Sequence, residues 1–221
     1  MSSCGSCRIA SSCSGRSWIK RQATQESAPP PNCGVMRRDP SFAMPPDVIE
    51  LERLRLRRPR LSDADAIFEY GSDPEVTRYA DWSTRTTVDS VVQLLRGRDA
   101  DWNSGAEFYW VMTLRPQDRA IGAVSCCVSG YAAEFGFVLN RQFWRNGLAT
   151  EASRAIVEWV FSVPSIWRLS ATCDVENRAS ARVLEKSGLS QEGVLRRAIV
   201  RPNLSTEPRD ALLYAKVREY A

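Results

Sequence analysis

Hydrophobic positions along the chain change period several times, and each change marks an element. Leucine and arginine alternate from Arg53 to Arg57, which predicts a half-buried strand with a solvated arginine face, ended by Pro59. Ser62, three residues before Asp65, is a variant capping box, and Ile67 and Phe68 supply the inner face of a first helix. Asp73-Pro74-Glu75 starts a short turn or helix. Thr86 with Asp89 is then expected to cap a second helix with a buried stripe of Val88, Val91, Val92 and Leu95. Two apolar runs, Phe108–Leu114 and Ile121–Val128, read as a hairpin-like pair of strands. In Glu134–Leu139, Phe135, Phe137 and Leu139 fall on one face and Glu134, Gly136 and Val138 on the other. From Leu148 the period becomes helical: Leu148, Ala152, Ala155, Ile156, Trp159, Val160 and Val163 share one face, with Glu151, Arg154 and Glu158 opposite.

Further on, Leu169, Ala171, Cys173 and Val175 alternate as another strand. Asn177 is then a good N-cap, Val183 and Leu184 face a core, and Gly188 suits a left-handed C-cap with Leu189 packing beyond it. Gly193 to Tyr220 reads as two strands around the segment 201–208. The whole predicts one α/β (α+β) domain over residues 48–221.

The chain has 221 residues, 43% of them hydrophobic and seven of them Trp, enough for a substantial core. No apolar run reaches the ~18 residues that a membrane span needs. Net charge is +4; residues 1–47 hold six basic and three acidic groups, +3, which leaves +1 for the domain. That near-neutral balance argues against nucleic acid as a partner. Histidine is absent, which excludes Ser-His and Cys-His nucleophiles and every His-based metal site.

Residues 1–47 are rich in Ser, Cys and Pro without hydrophobic period, and are expected to form a disordered tail. Cys4, Cys7, Cys13 and Cys33 are irregularly spaced and lack a packed scaffold, so no metal site is expected. Arg8, Arg16, Lys20 and Arg21 precede the first acid, Glu26, in the manner of a transit peptide, while Met36 and Met44 are alternative starts; the sequence leaves these open. Cys126, Cys127 and Cys173 fall inside strand-like runs, where cysteine acts as a small hydrophobe, and a reducing cytoplasm is the expected compartment.

Candidate chemistry centres on the strand–turn–helix from Glu134 to Ala152. A helix start offers unpaired N–H groups and a positive macrodipole, Gly147 allows close backbone approach, and Arg145 adds a charged donor: a place for a phosphate. The turn has neither the Lys-Ser/Thr of a nucleoside-triphosphate loop nor the glycine spacing of a dinucleotide fingerprint. It resembles the pyrophosphate-binding turn of the GNAT superfamily of N-acetyltransferases, Gln/Arg-x-x-Gly-x-Gly/Ala, with Trp144 in the first position and Gly147 and Ala149 in the others. The aromatic start and the following Ala149-Thr150-Glu151-Ala152 look like the ribosomal-protein-alanine acetyltransferase (RimJ/RimL-like) branch. Asn177-x-x-Ser180-x-x-Val183-Leu184-Glu185-Lys186-x-Gly188 is similar to the segment beside the pantetheine arm in that family. Leu54–Asp63 and Arg209–Tyr214 are similar to its opening and closing segments.

The resemblance covers roughly residues 50–220. It implies the GNAT fold: a mixed twisted sheet of about six to seven strands flanked by helices, with two central parallel strands splayed apart. It implies acetyl-CoA as donor, without metal, and an amine acceptor. Backbone groups of Phe137, Val138 and Leu139 would hold the pantetheine arm and polarise the acetyl carbonyl; Arg145, Asn146, Gly147, Leu148, Ala149 and Thr150 would take the pyrophosphate. Asn177 is a candidate for the pantetheine arm, or a plain helix cap. Ser180 is a candidate donor to the departing sulfur, or a small packed residue. Glu134 is the candidate base, directly or through water, against a solvated strand-end acid. A second acid found in some relatives is replaced here by Arg196–Val200. Asp81 and Trp82 are candidates to meet the amine, or a loop acid and a half-buried Trp.

Three functions stay open at this point: acetyl transfer to a protein N-terminus, ribosomal or other; transfer to a small amine such as an amino acid or antibiotic; and a non-catalytic acyl-CoA-binding regulator. An interaction role for the tail is a weaker alternative, and a homodimer is left open.

Overall fold

The computed structural model describes residues 44–219. The tail and its cysteines, up to residue 43, lie outside the described residues. Eight strands form one sheet: β1 Val48–Glu50, β2 Leu54–Arg57, β3 Phe108–Leu114, β4 Ala120–Ser129, β5 Ala132–Leu139, β6 Arg168–Asp174, β7 Ser190–Arg201 and β8 Ser205–Val217. Their order is β1-β2-β3-β4-β5-β6-β8-β7, and every neighbouring pair is antiparallel except β5 and β6. The strand beyond the expected seven is β1, three residues long and too short to show a period, held by pairing with Arg55–Arg57.

Among the described residues five α-helices cover the sheet: α1 Ala64–Gly71, α2 Pro74–Thr77, α3 Val88–Ser104, α4 Leu148–Ser162 and α5 Arg178–Lys186. On one side α4 and α5 bury Leu148, Ile156, Trp159, Val160 and Leu184 against Phe108, Trp110, Phe135 and Leu169. Trp110 and Phe108 meet Trp159 at 5.6 Å between ring centroids, both edge-on. On the other side α1 and α3 bury Ile67, Tyr70, Val91 and Leu95 against Val111, with Val138 half-buried among them. The period-two reading of β5 therefore holds, since Phe135, Phe137 and Leu139 pack with α4 and Val138 with α1 and α3. Among the described residues no helix is long and apolar enough to cross a membrane.

Three local expectations are corrected. The β2 arginine face is not uniformly solvated: Arg57 is only 3% exposed, and its guanidinium grips both Asp63 oxygens at 2.7 and 2.8 Å and Asp118 at 2.7 Å. The turn into α1 lies over that end of β2 and supplies the carboxylate that burying a cation requires. Asp63, not Ser62, organises the same turn, its carboxylate accepting the Arg60 N–H at 2.7 Å. Thr87 rather than Thr86 caps α3, its hydroxyl accepting the Ser90 N–H at 3.3 Å.

Candidate active site

Strands β5 and β6 start as ladder partners and then part. Ala132, Ala133 and Glu134 pair with Arg168, Leu169 and Ser170, and there the parallel register ends. Beyond Glu134, β5 stays paired with β4 as far as Leu139; beyond Ser170, β6 stays paired with β8 as far as Asp174. The result is a fork in the middle of the sheet, with two main-chain edges facing each other across it. A gap of this kind suits an extended, amide-bearing chain, because strand edges recognise such groups through N–H and C=O. On the far side of β5 the backbones are closely apposed: a Cβ on Gly122 would stand 2.5 Å from the Val138 carbonyl, so only glycine fits there.

The backbone leaves β5 through a turn fixed at several points. Trp144 donates its indole N–H to the Leu139 carbonyl at 2.7 Å, and the Asn140 side chain accepts the Gln142 N–H at 3.1 Å. Asn140 also donates to Glu69 at 3.0 Å; with Arg119, the stronger influence, that bond holds the Glu69 carboxyl below its usual range. Arg145 and Gly147 both take positive φ, 63° and 76°, and Gly147 is the N-cap of α4 with no side-chain cap over it. The first amides of α4 are thus open at the positive end of a 15-residue helix. Leu148 and Ala149 are buried, so only their main chain is available to a ligand; Arg145, Asn146 and Gly147 are exposed and Thr150 is half-buried. The Arg145 guanidinium makes no hydrogen bond or ion pair with the described residues.

Arg53, which the alternating pattern of β2 concealed, belongs to this turn. From the β1–β2 connection it donates its backbone N–H and Nε to the two oxygens of Glu151, at 3.0 and 2.7 Å, and Nη1 to the Asn146 carbonyl at 2.8 Å. A groove of about 480 Å³ opens beside it, lined among others by Arg53, Gly147, Thr150, Arg154 and Lys186.

On the opposite edge of the fork, β6 leads into α5. The Asn177 carboxamide oxygen accepts the Ser180 N–H at 3.1 Å, so half of that side chain is spent on the cap. Ser180 stands beside the Cys173 thiol, which burial pushes up to about 11 against the pull of Arg201. Gly188, at φ 87°, ends the helix in the left-handed conformation and Leu189 is buried beyond it. Glu134 lies at the closed end, on the face of β5 that looks toward α1 and α3, whereas α5 and Ser180 belong to the α4 side. The fork therefore gathers Phe137–Leu139, the turn 145–150, Asn177 and Ser180 around one gap, with Glu134 at its base and on the other face from Ser180.

Over the open end the β7–β8 hairpin reaches across to the segment after α2. Asn203 at its tip donates to the carbonyls of Thr77 and Trp82 at 2.7 and 2.9 Å and accepts from the Thr84 amide at 3.0 Å. Asp81 is exposed, and one face of Trp82 is already covered by Arg85, 5.2 Å from the ring centroid. Among the described residues no group of His, Cys, Asp and Glu is arranged to hold a metal.

A mixed sheet forked at its one parallel pair, beside an uncapped helix start, is the arrangement that the resemblance of the turn to the GNAT superfamily implies. The chain belongs to the acetyltransferase (GNAT) domain family, whose pattern matches residues 53–190. It is 29% identical over 174 residues to the uncharacterized N-acetyltransferase YoaA of Bacillus subtilis (strain 168), covering 77% of this chain and 97% of that protein. It superposes on the crystal structure of a GNAT-family acetyltransferase from Bacillus anthracis with a TM-score of 0.66 at 27% identity, covering 77% of this chain and 98% of the other. The ribosomal L7/L12 alpha-N-protein acetyltransferase RimL, solved with coenzyme A, shares the fold: TM-score 0.68, 20% identity, coverage 77% and 97%.

Proposed function

We propose that this chain transfers the acetyl group of acetyl-CoA to a primary amine in the cytoplasm. The observation that carries the reading is the fork, whose two unladdered edges end beside the open amides of α4. An acetyl-pantetheine arm lies along β5 as an added strand, bonded by main-chain groups of Phe137 and Leu139; those of Val138, between them, face β4, where its carbonyl lies against Gly122. The Leu139 carbonyl is committed to the Trp144 indole, so this residue contributes its N–H side. The N–H groups of Leu148, Ala149 and Thr150, with Arg145, Asn146 and Gly147, hold the diphosphate; Arg154 and Lys186 line the groove that receives the nucleotide end. Asn177 keeps its NH2 group for the pantetheine amides, its oxygen being used in the cap.

The chemistry needs few groups. A neutral amine forms the new C–N bond while the C–S bond breaks and the electron pair leaves on sulfur. Glu134, directly or through a water, accepts the proton that the nitrogen sheds, and the Ser180 hydroxyl donates a hydrogen bond to the departing thiolate. Placement of the two on opposite faces of the sheet fits an amine arriving from the α1/α3 side and sulfur leaving toward α5. Holding donor and acceptor together is itself worth roughly 7–11 kcal/mol of barrier. No histidine is required, and the chain has none.

RimL is named for a ribosomal protein terminus, which keeps a protein N-terminus among the acceptors beside amino acids and other small amines. Thiol release from acetyl-CoA over a panel of amines, aminoglycosides and short Ala- or Ser-starting peptides tests the reading. At least one member is expected to give equimolar thiol and acetylated amine. Saturable CoA binding without turnover on any member would instead make the chain an acyl-CoA-binding regulator.

A further inference from the structure

Two arginines are buried among the described residues, and they are treated oppositely. Arg57, at 3% exposure, has both oxygens of Asp63 and one of Asp118. Arg201, at 7%, makes no side-chain hydrogen bond or ion pair with the described residues. Its nitrogens are not among the fully buried, unpartnered polar atoms, so the guanidinium sits in a crevice that still reaches water and that an anion could enter; a guanidinium so largely buried is ordinarily paired. The carboxylates acting on it are Asp81 and Asp174. Asp174 is already engaged, accepting from Arg209 at 2.7 and 3.2 Å and from the Glu176 N–H at 3.0 Å. Asp81 is exposed on the connection after α2. Burial above all, and then the like charge of Arg209, lowers the tendency of Arg201 to hold its proton.

Its place in the fold says what the missing anion belongs to. Arg201 is the last residue of β7, opposite Ser205. Two positions on, Asn203 ties the hairpin tip to Thr77, Trp82 and Thr84. The groups facing Arg201 from β6 are Cys173 and Asp174, at the open end of the fork. It therefore lies on the β6 side, across the gap from the turn that follows β5. The same hairpin carries Arg196 and Arg197, both exposed.

We propose that Arg201 binds a carboxylate carried by the amine acceptor, so that the acceptor class is an amine with an acid group close to the reacting nitrogen. This rests on the acetyltransferase reading and narrows it. The carboxylate comes either from a free amino acid or from an acidic residue next to a peptide amine, and both present the same chemistry to the guanidinium.

The test is calorimetry on the full chain saturated with CoA. It is titrated with Ala, Ser, Met and Glu, with the amide of each, and with tetrapeptides differing only by Asp or Asn at the second position. At least one acid is expected to bind about 30-fold or more tighter than its uncharged partner, the amino acids and the peptides reporting the two sources separately. In Arg201→Met that preference falls below about threefold, CoA affinity stays within about twofold, and the melting temperature does not drop, because an unpaired buried charge has been removed. Arg201→Lys retains part of the preference. Equal binding of every acid and its partner, or no binding by any member, overturns the proposal. So does a loss of CoA affinity in Arg201→Met, which would give the guanidinium to a cofactor phosphate. If CoA itself gives no saturable heat before any acceptor is added, the acetyltransferase reading falls as well, and the stage of failure identifies it.

Discussion

In the proposed mechanism the Ser180 hydroxyl and the Glu134 carboxylate divide the chemistry, and in the resting fold Ser180 bonds the Cys173 thiol while Glu134 acts on that of Cys126. Asn177 caps α5 through the Ser180 backbone N–H, so Ser180→Ala keeps the cap. Loss of a hydrogen bond to a charged thiolate is worth about 1.5–3 kcal/mol, which predicts a fall in kcat of about 10- to 100-fold with CoA affinity little changed. An unchanged kcat would take Ser180 out of the mechanism. For Glu134→Gln the acidic limb of the pH–rate profile should disappear, and a limb identical to the parent's would leave the base elsewhere. Single residues were unevenly legible in the sequence. Asn177 and Gly188 announce themselves because capping depends on local backbone geometry. Arg57 and Arg53 do not: alternation gives a strand face, but whether it meets water or a carboxylate depends on chain 6 to 98 residues away.

At the scale of elements, the N-terminus of α4 contains a conflict that the β1–β2 connection resolves. Glu151 sits in the first turn, where it complements the helix dipole but repels a diphosphate bound at the same pole. Arg53 takes both of its oxygens and also holds the Asn146 carbonyl. Arg53→Ala is accordingly expected to weaken CoA by about tenfold, and Glu151→Gln added to it to recover part of the loss. A double variant no better than the single one would show that neutralising Glu151 is not what Arg53 does. Helices and long strands followed from period alone. β1 was missed because three residues carry no period, and the α3 cap was misplaced by one position between adjacent threonines. The fork is a matter of which strands pair and where they stop pairing. Period is silent on that, so it was reached only through the resemblance of the turn and of the α5 segment. The docking of Asn203, more than 100 residues from its partners, left no local trace at all.

Across the whole molecule the charge pattern sets a stability window. Asp118 lies below the usual carboxylate range chiefly through the Arg57 hydrogen bond, and Glu69 through that of Arg119. For Asp174, burial opposes ionisation, but Arg209 and the Glu176 N–H outweigh it. Groups lowered by folding give stability that is complete above their unfolded values, 3.8 and 4.5, and is lost as pH falls through the folded ones. Cys173 acts in the other direction: raised from 9.0 to about 11, its contribution is whole below 9.0 and is lost as pH climbs through 11. With no histidine in the chain, the melting temperature should be flat from about pH 5.5 to about 8.5 and fall on both sides. A slope between pH 6 and 8 in thermal melts would contradict this. The central claim, that the open amides after Gly147 hold a diphosphate while the fork holds a thioester arm, is met most directly by titrating CoA into the parent and Gly147→Glu in a calorimeter. The account predicts saturable binding by the parent and a loss of about 100-fold or more in the variant, where a carboxylate and a side chain at φ 76° face the phosphates. No saturable heat in the parent, or equal affinity in the two, would contradict it.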